Sequence, residues 1–113
     1  MSNADCIFCK IASGEIPKSP QEKRFENERF VAFLDIHPVA PGHTVLIPKE
    51  HYRWFEEMPD DLSDELFRVA KQLAKEMKRD GDVDYVHLSV VGKDVPHVHV
   101  HLIPRKLKDS VTV

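Results

Sequence analysis

The stretch His97-Val98-His99-Val100-His101 constrains this chain more than any other. Polar and β-branched residues alternate strictly, which predicts a β-strand. In a strand, side chains at i, i+2 and i+4 share one face. His97, His99 and His101 therefore form a row with roughly 6.6–6.8 Å between neighbours, and Val98, Val100 and Leu102 turn toward a core. Pro96 and Pro104 bracket the row, and it holds three of the chain's seven histidines. A polar strand face that merely happens to be histidine explains one such residue better than three in register. An imidazole row can bind a metal, bind an anion or act as a nucleophile.

The rest of the chain supplies a frame for that strand. A short helical turn is predicted over residues 7–13, ended by Gly14, with a loop at Pro17 and Pro20. Residues 23–26 and 29–35 read as a hairpin turning at Asn27-Glu28, and the second strand is apolar on both faces. Two prolines and a glycine make a loop of residues 36–42, and residues 43–48 form the next strand. One long helix opens at Pro59-Asp60-Asp61, with Asp60 or Asp61 as its cap, and closes at Gly81. Its stripe of Leu62, Leu66, Ala70, Leu73 and Met77 has helical spacing and reads as core rather than as a site. Residues 85–91 form a strand, and Gly92-Lys93-Asp94 turns it back into the histidine row. The expected fold class is α+β: an antiparallel β-sheet of about five strands with one long and one short helix.

A chain of 113 residues fits a single domain over 1–113 with one modest core. With 42% hydrophobic and 31% charged residues it has the composition of a soluble globular protein. A net charge of −3 offers no basic groove for nucleic acid and no attraction to an anionic membrane. No apolar run is long enough to span a bilayer, and the N-terminal residues lack the pattern of a signal peptide, so a cytoplasmic location is expected. In a reducing compartment, Cys6-x-x-Cys9 reads as a metal clamp or a redox pair rather than a structural disulfide. No strand precedes Cys6, which favours the metal, while two small buried hydrophobes is the plainer alternative. Two thiolates leave a tetrahedral site two ligands short, and His37, His43, His51, His87 and the row are all candidates.

Residues 33–38 (FLDIHP), 41–51 (PGHTVLIPKEH) and 97–102 (HVHVHL), with the opening Cys6-Ile7-Phe8-Cys9-Lys10-Ile11 and Gly14-Glu15-Ile16-Pro17, resemble the histidine-triad (HIT) family of small nucleotide hydrolases and transferases. The resemblance covers nearly the whole chain and is nearest to the bacterial type with a CxxC zinc motif. It implies a homodimer with two joined sheets. It makes His99 the nucleophile, attacking the α-phosphorus of a purine nucleotide such as adenosine or guanosine monophosphate derivatives, with a backbone carbonyl fixing its tautomer. His101 would neutralise phosphate oxygens and pass protons, His43 would join the same cluster, and Asp35 would bind the ribose hydroxyls. Phe33, Ile36, Phe8, Ile11 and Ile16 are base-slot candidates, with core packing as the equal alternative. Zinc would be held by Cys6, Cys9, His51 and His97, and His37 and His87 match neither site.

The chain departs from the family before the histidines. Val90-Val91-Gly92-Lys93-Asp94-Val95-Pro96 carries no asparagine and lacks the small-residue segment that offers donors to phosphate. Lys93, Ser89 or Arg105 are candidate replacements. The leading expectation is a nucleotide phosphoramidase or dinucleoside-polyphosphate-type hydrolase working through a nucleotidyl-histidine. The shortened segment motivates a second one, a non-catalytic nucleotide-binding module that keeps the fold and the zinc. A third places a catalytic metal on His97, His99 and His101.

Overall fold

The structure is a computed structural model describing residues 6–19 and 21–109. It contains helix α1 (Ile7–Ser13), strands β1 (Lys23–Glu26), β2 (Phe30–Leu34) and β3 (Thr44–Pro48), a 3-10 turn (Phe55–Glu57), helix α2 (Asp60–Asp80), and strands β4 (Tyr85–Val90) and β5 (Val100–Arg105). The strands form one antiparallel sheet in the order β1-β2-β3-β5-β4. This is the α+β architecture expected from the strand and helix pattern.

The two faces of the sheet have different covers. Phe30, Ala32, Leu46, Val98, Val100 and Leu102 pack beneath α2, against its Leu62, Leu66, Val69, Ala70 and Leu73. Val31, Phe33, Val45 and Ile47 turn the other way and pack with Ile11 of α1. Strand β2 is thus apolar on both faces because it lies between two layers. Asn27 turns the first hairpin, its Oδ1 accepting from the Arg29 and Phe30 N–H groups at 2.9 and 2.8 Å.

Three details correct the expectations. The strand carrying the histidines begins at Val100, so His97 and His99 precede it. The reason lies in the backbone: the Val98 N–H is taken by the Tyr52 carbonyl at 2.7 Å, a loop group rather than a strand neighbour. The alternation of faces nevertheless persists, with Val98 and Val100 in the core under α2. The N-cap of α2 is Pro59, without a side-chain cap bond; Asp60 and Asp61 lie in the first turn, where they favour the helix dipole. Gly81 closes α2 by donating its N–H to the Met77 carbonyl, with φ −127° rather than a left-handed turn.

Gly92 is a different case. Its φ is 77°, and an added Cβ would meet the Arg53 carbonyl at 3.1 Å and the Trp54 ring at 3.4 Å. The chain leaving β4 therefore turns tightly against residues 53–54 before it returns as the histidine row.

Leu66 is fully buried at the centre of the α2 layer. Leu66→Ala is expected to lower stability by about 2–5 kcal/mol through lost burial and a residual cavity. Urea denaturation of the two proteins measures the difference.

Candidate active site and metal centre

The row of histidines divides between two clusters. At one end, Cys6, Cys9, His51 and His97 bring their ligand atoms within 4.8 Å of one another. Cys6 comes from the cap of α1 and Cys9 from its first turn, so their i, i+3 spacing aims both sulfurs the same way. His97 Nε2 donates to the Pro48 carbonyl at 2.8 Å. That bond leaves Nδ1 as a lone pair, 3.3 Å from Cys6 Sγ and 3.4 Å from Cys9 Sγ. His51 Nδ1 stands 3.2 Å from both Cys9 Sγ and His97 Nδ1. No disulfide joins the cysteines.

These distances suit a metal. A tetrahedral zinc with bonds of about 2.0–2.1 Å to nitrogen and 2.3 Å to sulfur separates its ligands by roughly 3.3–3.8 Å. Burial pushes the His97 imidazole down to about 4, against the raising effect of its bond to Pro48, and burial lowers His51 as well. Both are therefore neutral near pH 7, the form a metal requires. The Pro48 carbonyl orients the ligand from behind, as outer partners of metal-bound histidines do.

The other cluster holds His99, His101, His43 and Asp35. The His99 Nδ1–H donates to the His97 carbonyl at 2.7 Å, so Nε2 carries a lone pair. The ring is buried and meets His101 with centroids 4.9 Å apart. A chain of bonds also fixes the tautomers of the other two histidines. The Val39 N–H donates to His43 Nδ1 at 3.2 Å, so His43 Nε2 carries the hydrogen. That nitrogen donates to His101 Nδ1 at 2.9 Å, which leaves the His101 hydrogen on Nε2. Asp35 Oδ1 accepts the His37 N–H at 2.8 Å, and Oδ2 lies 3.5 Å from His43 Nε2 and 3.9 Å from His101 Nδ1. Burial holds both imidazoles below the ordinary histidine range; Arg105 depresses His43 further and His99 depresses His101, while Asp35 opposes both shifts.

The residues considered for a base slot separate. Phe8 lies between Phe33 and His99, with ring centroids 5.9 and 5.0 Å away, and also touches His97 at 6.0 Å. Ile11 and Ile16 line a cavity of about 330 Å³ beside Ser13, Lys18, Lys23 and Lys49. Ile36 is exposed on the loop after β2. Lys18 carried no signal in the sequence, yet its side chain is largely buried and its Nζ lies 5.2 Å from the Phe33 centroid. A cavity of about 410 Å³ lies on the α2 side of the sheet, lined by Leu73, Met77, Gly42 and Pro104 among others, away from the histidine face. The three row histidines do not converge on one point, which removes the geometry of a catalytic metal held by all three. His97 Nδ1 turns to the cysteines, His99 Nδ1 to a carbonyl and His101 Nδ1 to His43.

A five-stranded sheet with alternate histidines on its last strand and on the segment leading into it, one in a Cys₂His₂ cluster and two beside a third imidazole, defines a histidine-triad protein. The chain belongs to the HIT family: the HIT domain model matches residues 17–108. It is 42% identical over 109 residues to the adenosine 5′-monophosphoramidase of Saccharomyces cerevisiae, covering 96% of this chain and 67% of that one. Its fold is similar to SMU.412c from Streptococcus mutans, with TM-score 0.87, 37% identity and coverage of 99% of this chain and 73% of the other. It is also similar to a zinc-bound histidine triad family protein from Mycobacterium smegmatis, with TM-score 0.84, 29% identity and coverage of 96% and 80%. Among the described residues no helix is long and apolar enough to cross a membrane.

The depressed histidines set a pH dependence. Below about pH 6.5 the unfolded chain binds protons that folded His43 and His101 refuse, so their contribution to stability is full above that pH and lost on acidification. The urea midpoint of chelator-treated protein is expected to fall between about pH 7.5 and 5.5, with a shallower fall in His101→Asn. A midpoint with the same slope in both proteins would contradict this assignment.

Proposed function

We propose that the chain, a single HIT domain over 1–113, is a nucleotide hydrolase that forms a nucleotidyl-histidine on His99. The observation that carries this reading is the 2.7 Å bond from His99 Nδ1 to the His97 carbonyl, which commits Nε2 to attack. Similarity to a monophosphoramidase supports the class of reaction. Substrates are purine nucleotides with a group attached at the α-phosphate, phosphoramidates and dinucleoside polyphosphates being the two types expected.

The steps follow from the tautomers. An arriving phosphate favours protonation of His101, whose Nε2–H then neutralises a phosphate oxygen. His99 Nε2 bonds to phosphorus, and the bond to the leaving group breaks with its electron pair. An amine leaving group takes the Nε2 proton of His101, leaving a neutral ring whose remaining hydrogen is on Nδ1, with Asp35 Oδ2, 3.9 Å away, as its acceptor. Water then attacks the phosphorus, the N–P bond breaks, and the water's proton passes to His101. Asp35, beside the imidazole pair, supports its charged form and is the candidate partner of the ribose hydroxyls. Phe8 and Phe33 form the base-side wall, joined by Ile11, Ile16 and Ile36 if the slot extends toward α1 and the loop after β2.

Cys6, Cys9, His51 and His97 would hold zinc in a closed site. Four protein ligands supply a structural link between α1 and the histidine strand and leave no position for a substrate. Purified protein is expected to carry about one zinc per chain by elemental analysis, and Cys9→Ser to lose it with a lower melting temperature. The chain is further read as a cytoplasmic homodimer. The outer edge of β4 has no strand partner among the described residues, and Leu88 on this strand and Val91 just after it are exposed.

The wild type is expected to release adenosine monophosphate from adenosine 5′-phosphoramidate, and His99→Ala to lose at least about 10³-fold in rate while keeping its fold. Full activity in His99→Ala would defeat the reading. A second reading, a nucleotide-binding module without turnover, is favoured by the valines at 90 and 91 and the shortened segment before Pro96. Binding of adenosine monophosphate with no release from any substrate would select it.

A further inference from the structure

Two buried side-chain nitrogens among the described residues have no hydrogen-bond partner, His87 Nδ1 and Arg105 Nε. Such orphans are rare in a native fold and call for a partner that the chain itself does not supply. Both lie on the histidine face. Ser89 stands opposite His101, His87 opposite Ile103, and Tyr85 opposite Arg105. Directly paired residues of an antiparallel sheet share a face, and so do residues two apart along a strand. His101, Ile103 and Arg105 thus make one column and Ser89, His87 and Tyr85 the next. With about 6.6–6.8 Å for every two residues, His87 lies one rung beyond the His101–Ser89 pair and Arg105 two.

The two groups suit an anion. Arg105 is cationic at every working pH and presents a planar fork that matches phosphate and sulfate oxygens. Its neighbour Lys106 is occupied by Asp82, whereas Arg105 has no carboxylate partner among the described residues. The charge of Arg105 also reaches the imidazole cluster, since it depresses His43. The His87 ring adds a second N–H donor when its hydrogen is on Nδ1.

We propose that His87 and Arg105 form an anion subsite that receives the departing group, so that the chain prefers nucleotides whose leaving group is itself an oxyanion, of the pyrophosphate or sulfate kind, over phosphoramidates. The proposal rests on the reading that His99 accepts the nucleotidyl group. The chemistry distinguishes the two substrate types. When His99 Nε2 bonds to phosphorus and the P–N bond of a phosphoramidate breaks, the leaving nitrogen needs the proton of His101. When a P–O bond to pyrophosphate or sulfate breaks, the leaving oxygen keeps the electron pair and departs as an anion. It needs charge neutralisation where its negative charge develops, which is along the column from His101 to Arg105.

The test compares kcat/KM for three adenosine substrates, the 5′-phosphoramidate, the 5′-phosphosulfate and diadenosine tetraphosphate, in wild type, His87→Ala and Arg105→Gln. The ratio of each oxyanion substrate to the phosphoramidate is expected to fall about tenfold or more in both variants. A drop for the phosphosulfate alone identifies a sulfate-sized site, and a drop for the tetraphosphate alone identifies a polyphosphate site. Unchanged ratios for both would overturn the proposal. A parallel titration with inorganic pyrophosphate and with sulfate, followed by NMR of the His87 ring, does not depend on turnover. Shifts in the wild type that vanish in Arg105→Gln would support the subsite even if no substrate were cleaved, which would sink only the catalytic reading. No shift with either anion, together with unchanged ratios, would leave two orphaned nitrogens and no site.

Discussion

The His97 imidazole is fully buried, and each of its polar atoms has a different destination. Nε2 donates to the Pro48 carbonyl at the end of β3. Nδ1 faces two sulfurs and a second imidazole. The carbonyl oxygen of the same residue holds His99 Nδ1. The Pro48 bond fixes the ring, the ring fixes the tautomer available to a metal, and the backbone fixes the tautomer of the neighbouring nucleophile candidate. A misplaced His97 would therefore disturb both clusters, although only one of its groups belongs to the second.

Phe8 extends the same dependence through packing. It lies on α1 between the two cysteines, and its ring contacts His97, His99 and Phe33 together. Helix α1 has only seven residues, too few to be stable by its own hydrogen bonds. Its place on the sheet comes from Ile11 in the apolar layer and from the cysteines against His97 and His51. Whatever loosens the sulfur cluster thus removes support from one wall of the second cluster.

Much of this was legible in the chain because it is written in local patterns. The alternation of residues 97–102 set the two faces of the last strand, and the spacing of Leu62, Leu66, Ala70 and Leu73 set the covered face of α2. Gly14 marked the end of α1, where φ is 87°. The start of β5 was not legible, because it is decided by the Tyr52 carbonyl, some 46 residues away in sequence, capturing the Val98 N–H. The grouping of Cys6, Cys9, His51 and His97 needed the resemblance as well, since spacing alone left several histidines open. Lys18 over Phe33 and the orphaned nitrogen of His87 had no signature at all, and Arg105 stood only as one of three candidates for a phosphate contact. Each depends on which side chains meet across strands or loops, and a lysine, histidine or arginine in a polar stretch looks the same whether solvated or enclosed.

The division between the two faces explains where chemistry can reside. Under α2 the sheet contributes mainly apolar side chains, which can be exchanged for others of similar volume at modest cost. On the opposite face α1 covers Val31, Phe33, Val45 and Ile47. Along β4 and β5 that face instead carries the column from His101 to Arg105 and the row from Ser89 to Tyr85. Of the polar groups placed there, His101 bonds to His43, whereas His87 Nδ1 and Arg105 Nε are buried without a hydrogen-bond partner. The Val39 N–H, His43 and His101 form a closed chain of donors that ends at one hydrogen, on His101 Nε2. That chain runs from the loop after β2 to β5, so its last hydrogen is held on the strand that borders β4.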